Sequence, residues 1–242
     1  MIDLDPEPHL VRSFDDTLIA ARFIPGGEGL PLLVANAVGA RLSIWRLLLP
    51  DILEDRPVIM WDQRGLFDSE PGASERVDPG AQVEDAIATL DHFDVDSFAV
   101  AGWSTGGRIA LEIAHDYPER VEGLVLVCAG YGHSMTRLLR LELVSLLPRL
   151  AGVAKVFAAP LGGALRGLVS RPEIAGLVRQ TGITAASADT SLLVDMLREI
   201  ASCDTRRLLE NYEAIAGSPA PSLVRGIRAR TLIIAGEHDQ FT

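Results

Sequence analysis

The sequence predicts an α/β fold, in which a mostly parallel, doubly wound sheet carries a helical cap inserted late in the chain. Two observations support this prediction. Short apolar runs that suit buried strands alternate with helical patterns over the first half of the chain, which is typical of parallel strands joined by helices. Between residues 133 and 225 no buried strand pattern is found, and helical spacing rich in Leu, Ala and Arg takes its place.

The elements follow from apolar spacing. Strands are predicted over 18–23, 32–35, 58–61, 97–101, 121–127 and 231–235, and helices over 42–53, 81–93 and 105–117. The first helix places Trp45, Leu48 and Leu49 on one face. The segment around His9 is expected to be a loose N-terminus. We expect a core over residues 1–131 and 226–242 and a cap over 132–225.

Composition excludes several classes of partner. The formal net charge of −11 argues against binding to nucleic acid or to an anionic membrane surface, because both favour clustered Lys and Arg. The acidic start lacks the regions of a signal peptide, and charged residues and Pro160 interrupt the apolar stretch 146–169. Cys128 and Cys203 lie far apart without metal-binding spacing. We therefore expect a cytoplasmic protein with no metal and no cofactor.

A pentapeptide, Gly102-Trp103-Ser104-Thr105-Gly106, directly follows the apolar run 98–101. Gly-x-Ser-x-Gly between a strand and a helix exposes its serine as a nucleophile on a sharp, strained turn. The motif alone occurs by chance, and the strand before it and the helix after it provide the context that it requires. Ser104 is therefore the candidate nucleophile.

Two further segments belong to the same edge of the predicted sheet. The strand at 32–35 runs into residues 36–39, a turn that can aim a backbone N–H at an oxyanion, and Thr105 offers a second N–H. The late strand runs into residues 236–239, which places the carboxylate of Asp239 at a strand's C-terminal end. Active sites of open parallel sheets form outside those ends. The turn, Ser104 and Asp239 are thus expected to lie together.

With these motifs the chain resembles the α/β-hydrolase family over residues 10 to 242. In the cap region the resemblance is limited to its helical character. The family's His-Gly-x-Gly turn is present as Asn36-Ala37-Val38-Gly39, and its Asp-x-Arg-Gly-x-Gly-x-Ser loop as residues 62–69, where Phe67 replaces a usual glycine. Residues 117–121 are similar to the family's link from the nucleophile helix to the next strand. Asp62 and Arg64 are expected to be structural members of their loop.

The resemblance implies a catalytic mechanism. A histidine takes the proton of Ser104, Asp239 orients that histidine, and the N–H groups of Val38 and Thr105 bind the oxyanion. It also implies a substrate pocket, whose candidate residues are Trp103, Tyr131, His133 and Ala37. A serine rather than an aspartate at position 104 argues against the haloalkane-dehalogenase and epoxide-hydrolase branches.

The histidine of this triad is not evident. The family order is Ser, then Asp, then His, and this sequence ends three residues after Asp239. His238 and His133 are poor candidates for the base. His238 adjoins Asp239 and is expected to point elsewhere, and His133, at the start of the cap, is favoured as a pocket or loop residue. We therefore interpret the chain as truncated relative to the family, with the last strand, the histidine loop and the last helix of the fold missing. The strand at 231–235 would then form an exposed sheet edge that could pair in a dimer.

Three functions stay open from the sequence. The first is a serine hydrolase that cleaves a small or medium carboxylic ester, thioester or lactone through an acyl-enzyme on Ser104. The second is an acyltransferase with the same nucleophile. The third is a catalytically silent binding protein of the same fold, because the triad histidine is missing. The expected partner is a small-molecule acyl substrate, and the 242-residue chain alone is expected to be poorly active.

Overall fold

The computed structural model describes residues 6–129, 190–218 and 221–237, together with Gly167 and Asp239. Within these residues seven strands form one sheet in the order β1-β2-β4-β3-β5-β6-β7. The strands are β1 (His9–Arg12), β2 (Leu18–Ile24), β3 (Leu32–Ala35), β4 (Val58–Trp61), β5 (Phe98–Trp103), β6 (Val121–Val127) and β7 (Arg230–Ile234). β2 runs antiparallel to β1 and β4, and the other pairs are parallel. The mostly parallel α/β sheet that the sequence predicts is confirmed.

Five α-helices accompany the sheet in the described residues: α1 (Leu49–Asp55), α2 (Pro79–His92), α3 (Gly106–Asp116), α4 (Thr190–Ser202) and α5 (Thr205–Ala216). Alternate residues of the central strands face opposite sides, so the sheet has two apolar layers. Leu33 and Ile59 belong to the layer beneath α2 and α3, and Val34 and Met60 belong to the layer that includes residues of α1. Helices on both faces make the sheet doubly wound.

Two predictions about the N-terminal third are wrong. His9, expected in a loose segment, lies in β1, where it pairs with Ala21 of β2. The single helix expected over 42–53 is a 3₁₀ turn, Leu42–Trp45, followed by α1. Pro50 lies in the first turn of α1, where its missing N–H costs nothing, but it cannot continue a helix from the preceding residues.

α4 and α5 lie between β6 and β7 in the chain and are tied to the core by polar contacts. From α4, Asp195 accepts a hydrogen bond from Arg46 at 3.1 Å, and Glu199 accepts one from Ser43. From α5, the fully buried Asn211 accepts from Gln82 Nε2 at 2.9 Å. These contacts fix both helices beside the turn that follows β3.

Candidate active site

The C-terminal ends of four parallel strands coincide. Ala35 of β3 pairs with Gly102 of β5, and Trp103 of β5, Val127 of β6 and Ile234 of β7 share one register line. The segments that follow these strands therefore leave the sheet at the same edge. They carry the turn 36–39, Ser104 and Asp239, as the sequence predicts.

Ser104 occupies a strained turn between β5 and α3. Its φ of 53° lies in the left-handed region, which costs a non-glycine residue about 1–2 kcal/mol. The flanking glycines explain why the turn is possible. A Cβ on Gly102 would lie 2.6 Å from the Cα of Gly107, and one on Gly106 would lie 2.1 Å from the carbonyl oxygen of Ala35. The motif thus requires glycine at both positions to bring α3 against β3 and β5.

The turn after β3 is held by a buried polar network. Trp45 Nε1 donates to Asn36 Oδ1 at 2.6 Å, and the Asn36 amide donates to the Met60 sulfur at 3.2 Å. Gln63 Nε2 donates to the Asn36 carbonyl at 3.1 Å. Asn36 therefore occupies the usual histidine position of the turn with its hydrogen bonds satisfied inside the core.

The two predicted oxyanion donors belong to neighbouring residues in space. The Val38 N–H donates to Thr105 Oγ1 at 2.9 Å. Gly39, next in the turn, has φ at 79°, and its Cα faces Ile200 of α4 and Leu208 of α5. The turn thus lies between the start of α3 and the two helices that follow β6. The motif predicts a role only for the backbone of Thr105, and nothing in the sequence indicates the contact of its hydroxyl with Val38.

Asp239 lies in the turn that follows β7, where its N–H donates to the carbonyl of Gly236 at 3.1 Å. Cys128, the first residue after β6, has a left-handed φ of 43° and its N–H donates to the carbonyl of Ile234 at 2.8 Å. Burial raises the pKa of the Cys128 thiol, and a hydrogen bond to Asp239 and the charge of Asp239 raise it further. The Cys128 thiol thus contacts the candidate acid, and no sequence pattern indicated this contact.

Ser104 and Asp239 are separated by the end of β6. Neighbouring strands lie about 4.8 Å apart, so the ends of β5 and β7 are roughly 10 Å apart, too far for a direct hydrogen bond. A group that links Asp239 to Ser104 must lie above the end of β6, beside Cys128. An imidazole, which bonds through both of its nitrogens, has the size and chemistry for that place.

The loop after β4 forms an ion-pair cluster beside the oxyanion turn. Asp62 is buried and accepts from Arg22 at 3.1 Å and from Arg41 at 3.3 Å. Burial raises the pKa of Asp62, against the opposing effect of both arginines. Asp68 accepts from the same two arginines. With each carboxylate paired, the cluster holds the loop in place and offers no free base.

Arg64 lies on the other side of the same loop, fully buried. Its guanidinium donates to both carboxylate oxygens of Asp85, at 2.8 and 2.6 Å, and to Asp15 at 3.0 Å. Such a paired, bidentate arrangement suits a structural role. The contacts agree with the prediction that Asp62 and Arg64 are structural.

The described histidines do not reach Ser104. His9 lies in β1, at the far edge of the sheet, with its Nδ1 3.2 Å from Nε2 of His92, the last residue of α2. His115 lies in the last turn of α3, where it contacts Asp116, and α3 begins beside Ser104 and leads away from it. His133 and His238 lie outside the described residues, as does Tyr131.

Trp103 and Ala37 are the candidate pocket residues that the structure describes. Both are half-buried at the C-terminal edge of the sheet, one before Ser104 and the other before Val38. Trp103 packs against the apolar layer that includes residues of α1. Their positions beside the nucleophile and the oxyanion turn suit residues that contact an acyl group.

The described residues offer neither a metal-binding cluster nor a membrane-spanning helix. In the part of the chain that the structure covers, no three His, Cys, Asp or Glu side chains are grouped so as to hold a metal ion. Over the same residues, no helix combines the length and apolarity needed to cross a membrane.

Comparison with known proteins links this arrangement to one family. The sequence model of the family described as "alpha/beta hydrolase fold" matches residues 24–242. The 2-hydroxymuconate semialdehyde hydrolase of Pseudomonas sp. (strain CF600) is 32% identical over 133 residues, 53% of this chain and 47% of the relative. The poly(3-hydroxyalkanoate) depolymerase of Ectopseudomonas oleovorans is 34% identical over 133 residues, 54% of this chain and 47% of the relative. The matched part therefore spans about half the length of these curated relatives.

A solved structure extends the likeness to nearly the whole chain. A hydrolase from Pseudomonas aeruginosa PA01 superposes with a TM-score of 0.73, covering 97% of this chain and 82% of the other. The two sequences are 22% identical, so this likeness concerns the fold alone.

Proposed function

Because the chain belongs to the α/β-hydrolase fold family, we propose that it is a serine hydrolase that cleaves a small or medium carboxylic ester, thioester or lactone. The observation that carries this proposal is Ser104 on its strained elbow, with the backbones of Val38 and Thr105 beside it and Asp239 at the same sheet edge. Curated relatives named as a hydrolase and a depolymerase support hydrolysis as the reaction.

The proposed mechanism begins with attack of Ser104 Oγ on the acyl carbonyl as a base removes its proton. The carbonyl oxygen becomes an oxyanion and accepts hydrogen bonds from the N–H groups of Val38 and Thr105. Collapse of the intermediate expels the alcohol or thiol, which takes the proton from the base, and leaves an acyl-enzyme. Water activated by the same base then releases the acid and restores Ser104.

The base of this mechanism is a histidine above the end of β6, oriented by Asp239. The described histidines His9, His92 and His115 do not supply it. A histidine of the same chain that lies outside the described residues would fill this place. A histidine from a second subunit, delivered across the β7 edge, is the alternative.

Labelling with a fluorophosphonate tests the proposal, because this reagent reacts with an activated serine and places its phosphoryl oxygen at the oxyanion donors. In the full-length protein we expect labelling at Ser104, hydrolysis of short p-nitrophenyl esters, and loss of both in Ser104→Ala. Ser222→Ala, at an exposed serine, is the matched control and should keep both. Absence of labelling and turnover would contradict the proposal. Transfer of the acyl group to an added alcohol or thiol would instead identify an acyltransferase.

One observation favours a second candidate function. In the described residues no histidine lies at the edge that carries Ser104. A protein that keeps the fold and elbow without a base would bind an acyl compound without cleaving it. In that case ester analogues would bind, and Ser104→Ala would leave their affinity unchanged within about twofold because no covalent step would be lost.

A further inference from the structure

We infer that the side-chain hydroxyl of Thr105 positions the Val38 N–H as an oxyanion donor, so that Thr105 acts through its side chain as well as its backbone. The inference rests on the proposed function, since an oxyanion forms only if Ser104 attacks an acyl group. It makes Thr105 a positioning residue for a donor on another segment of the chain.

The first support comes from an unused helix cap. Thr105 is the N-cap residue of α3, a position where a threonine hydroxyl ordinarily accepts an N–H from the first turn of its helix. Here the side chain makes no such bond, and the backbone has φ −62° and ψ −28° in place of the extended conformation of a capping residue. The hydroxyl instead accepts a hydrogen bond at 2.9 Å from the N–H of Val38, which lies in the segment after β3.

The second support is the way in which the rest of the turn is held. The buried network at Asn36 fixes the start of the turn. The Ala40 N–H donates to the Ala37 carbonyl at 3.0 Å and closes its far end. Neither contact fixes the direction of the N–H of Val38, which lies between them. The bond to Thr105 Oγ1 does so directly.

The third support is the rigidity of Thr105 itself. Thr105 follows the strained Ser104 and precedes Gly106, whose Cα lies so close to Ala35 and Asn36 that an added Cβ would meet both carbonyl oxygens. Its hydroxyl is therefore carried by a backbone that packs directly against the end of β3. The Thr105 N–H and the Val38 N–H are held in fixed relation to each other and to Ser104.

Such a connection has a chemical consequence. Donors that are already oriented stabilise a developing charge without reorganising during the reaction. The bond from Val38 to Thr105 Oγ1 keeps this N–H oriented while no acyl group is bound. When the acyl oxygen arrives, it accepts from both backbone N–H groups, and the hydroxyl remains beside the Val38 N–H as a second acceptor.

The test compares Thr105→Val, which keeps the shape and removes the acceptor, with Thr105→Ser, which keeps the acceptor. Amide hydrogen exchange of Val38, followed by NMR, should be about fivefold faster in the Val variant, as the loss of one net hydrogen bond implies, and unchanged in the Ser variant. The rate of fluorophosphonate labelling and kcat should fall about tenfold in Thr105→Val, less than the loss of a whole donor would cause. KM should stay within about twofold, and Thr105→Ser should restore kcat.

Two results would overturn the inference: unchanged Val38 exchange in Thr105→Val, or equal kcat values in the Val and Ser variants despite altered exchange. Thr105→Ala serves as a second acceptor-free variant if the Val variant does not fold. If the unmodified protein neither labels at Ser104 nor cleaves esters, the proposed function fails. The exchange measurement, which needs no catalysis, still decides whether the hydroxyl holds the Val38 N–H.

Discussion

Phe67 has a backbone conformation that favours glycine, with φ at 53°, at the position where related loops usually carry glycine. Its ring lies under the guanidinium of Arg41, with 4.9 Å from Cζ to the ring centroid. Arg41 also pairs with Asp62 and Asp68. The strain at Phe67 is thus accompanied by a contact that orders an arginine of the ion-pair cluster.

This conformation predicts that glycine is more stable than alanine at position 67, which is the reverse of their order in a regular helix. Both Phe67→Ala and Phe67→Gly lose the ring, but only alanine keeps a Cβ in the left-handed region. We expect the glycine variant to be more stable than the alanine variant by about 1 kcal/mol. Urea unfolding measures the difference.

The matched control lies on a regular helix. Glu84 is exposed in the middle of α2, and there alanine should exceed glycine by about 1 kcal/mol, in the ordinary order. If alanine were the more stable residue at position 67 as well, the loop would not hold the left-handed conformation that the structure shows.

At the scale of elements, α5 is attached to the core by apolar packing of Ile215 and by hydrogen bonds of the buried Asn211. Asn211 accepts from Gln82 of α2 and donates to the carbonyl of Arg64 at 3.1 Å. Asn211→Ala removes the hydrogen-bond partner of the buried Gln82 amide and of the Arg64 carbonyl. We therefore expect a loss of about 2 kcal/mol in the free energy of unfolding. Thermal or urea unfolding provides the measurement.

An ion pair on the exposed side of the same helix is the control for this prediction. Arg206 pairs with Glu210 at 2.8 Å, and its side chain is largely exposed. Arg206→Ala should lower the free energy of unfolding far less than Asn211→Ala does, because exposed pairs contribute little. Equal losses in the two variants would mean that Asn211 does not anchor α5.

The elements differ in how far the sequence predicts them. β3, β4 and β6 are predicted to the residue because β3 and β4 are uninterrupted apolar runs and β6 is apolar except at Glu122 and Gly123. β1 is not predicted from the sequence because it is a four-residue edge strand in which only Val11 is buried, so it has almost no apolar pattern.

The candidate site, too, can be predicted only in part from the sequence. Ser104 and Asp239 follow from motif and strand order, which are local properties of the sequence. The contacts of Thr105 with Val38 and of Cys128 with Asp239 join residues that are distant in the chain. They depend on strand register and on the close packing of α3 against β3, which no local pattern contains.

For the whole molecule, the two edges of the sheet are unlike. β1 presents a short, mostly polar edge, whereas β7 exposes apolar side chains on both of its faces. Leu232, Ile233 and Ile234 are 55%, 68% and 47% exposed. An exposed apolar edge strand is prone to pair with another chain, and the net charge of −11 opposes close approach of two copies.

These opposing properties predict salt-dependent self-association of the 242-residue chain. Salt screens the repulsion, with a Debye length of about 30 Å at 0.01 M and about 8 Å at 0.15 M, and leaves apolar contacts intact. The mass-average molecular weight in sedimentation equilibrium should therefore rise with salt. Ile233→Lys should suppress the rise, because it places a charge on the apolar edge. Leu47→Lys adds the same charge at a leucine that is 58% exposed outside the sheet, and it should leave the association unchanged. Equal suppression by both variants would show that the effect does not depend on the β7 edge, and would contradict pairing through β7.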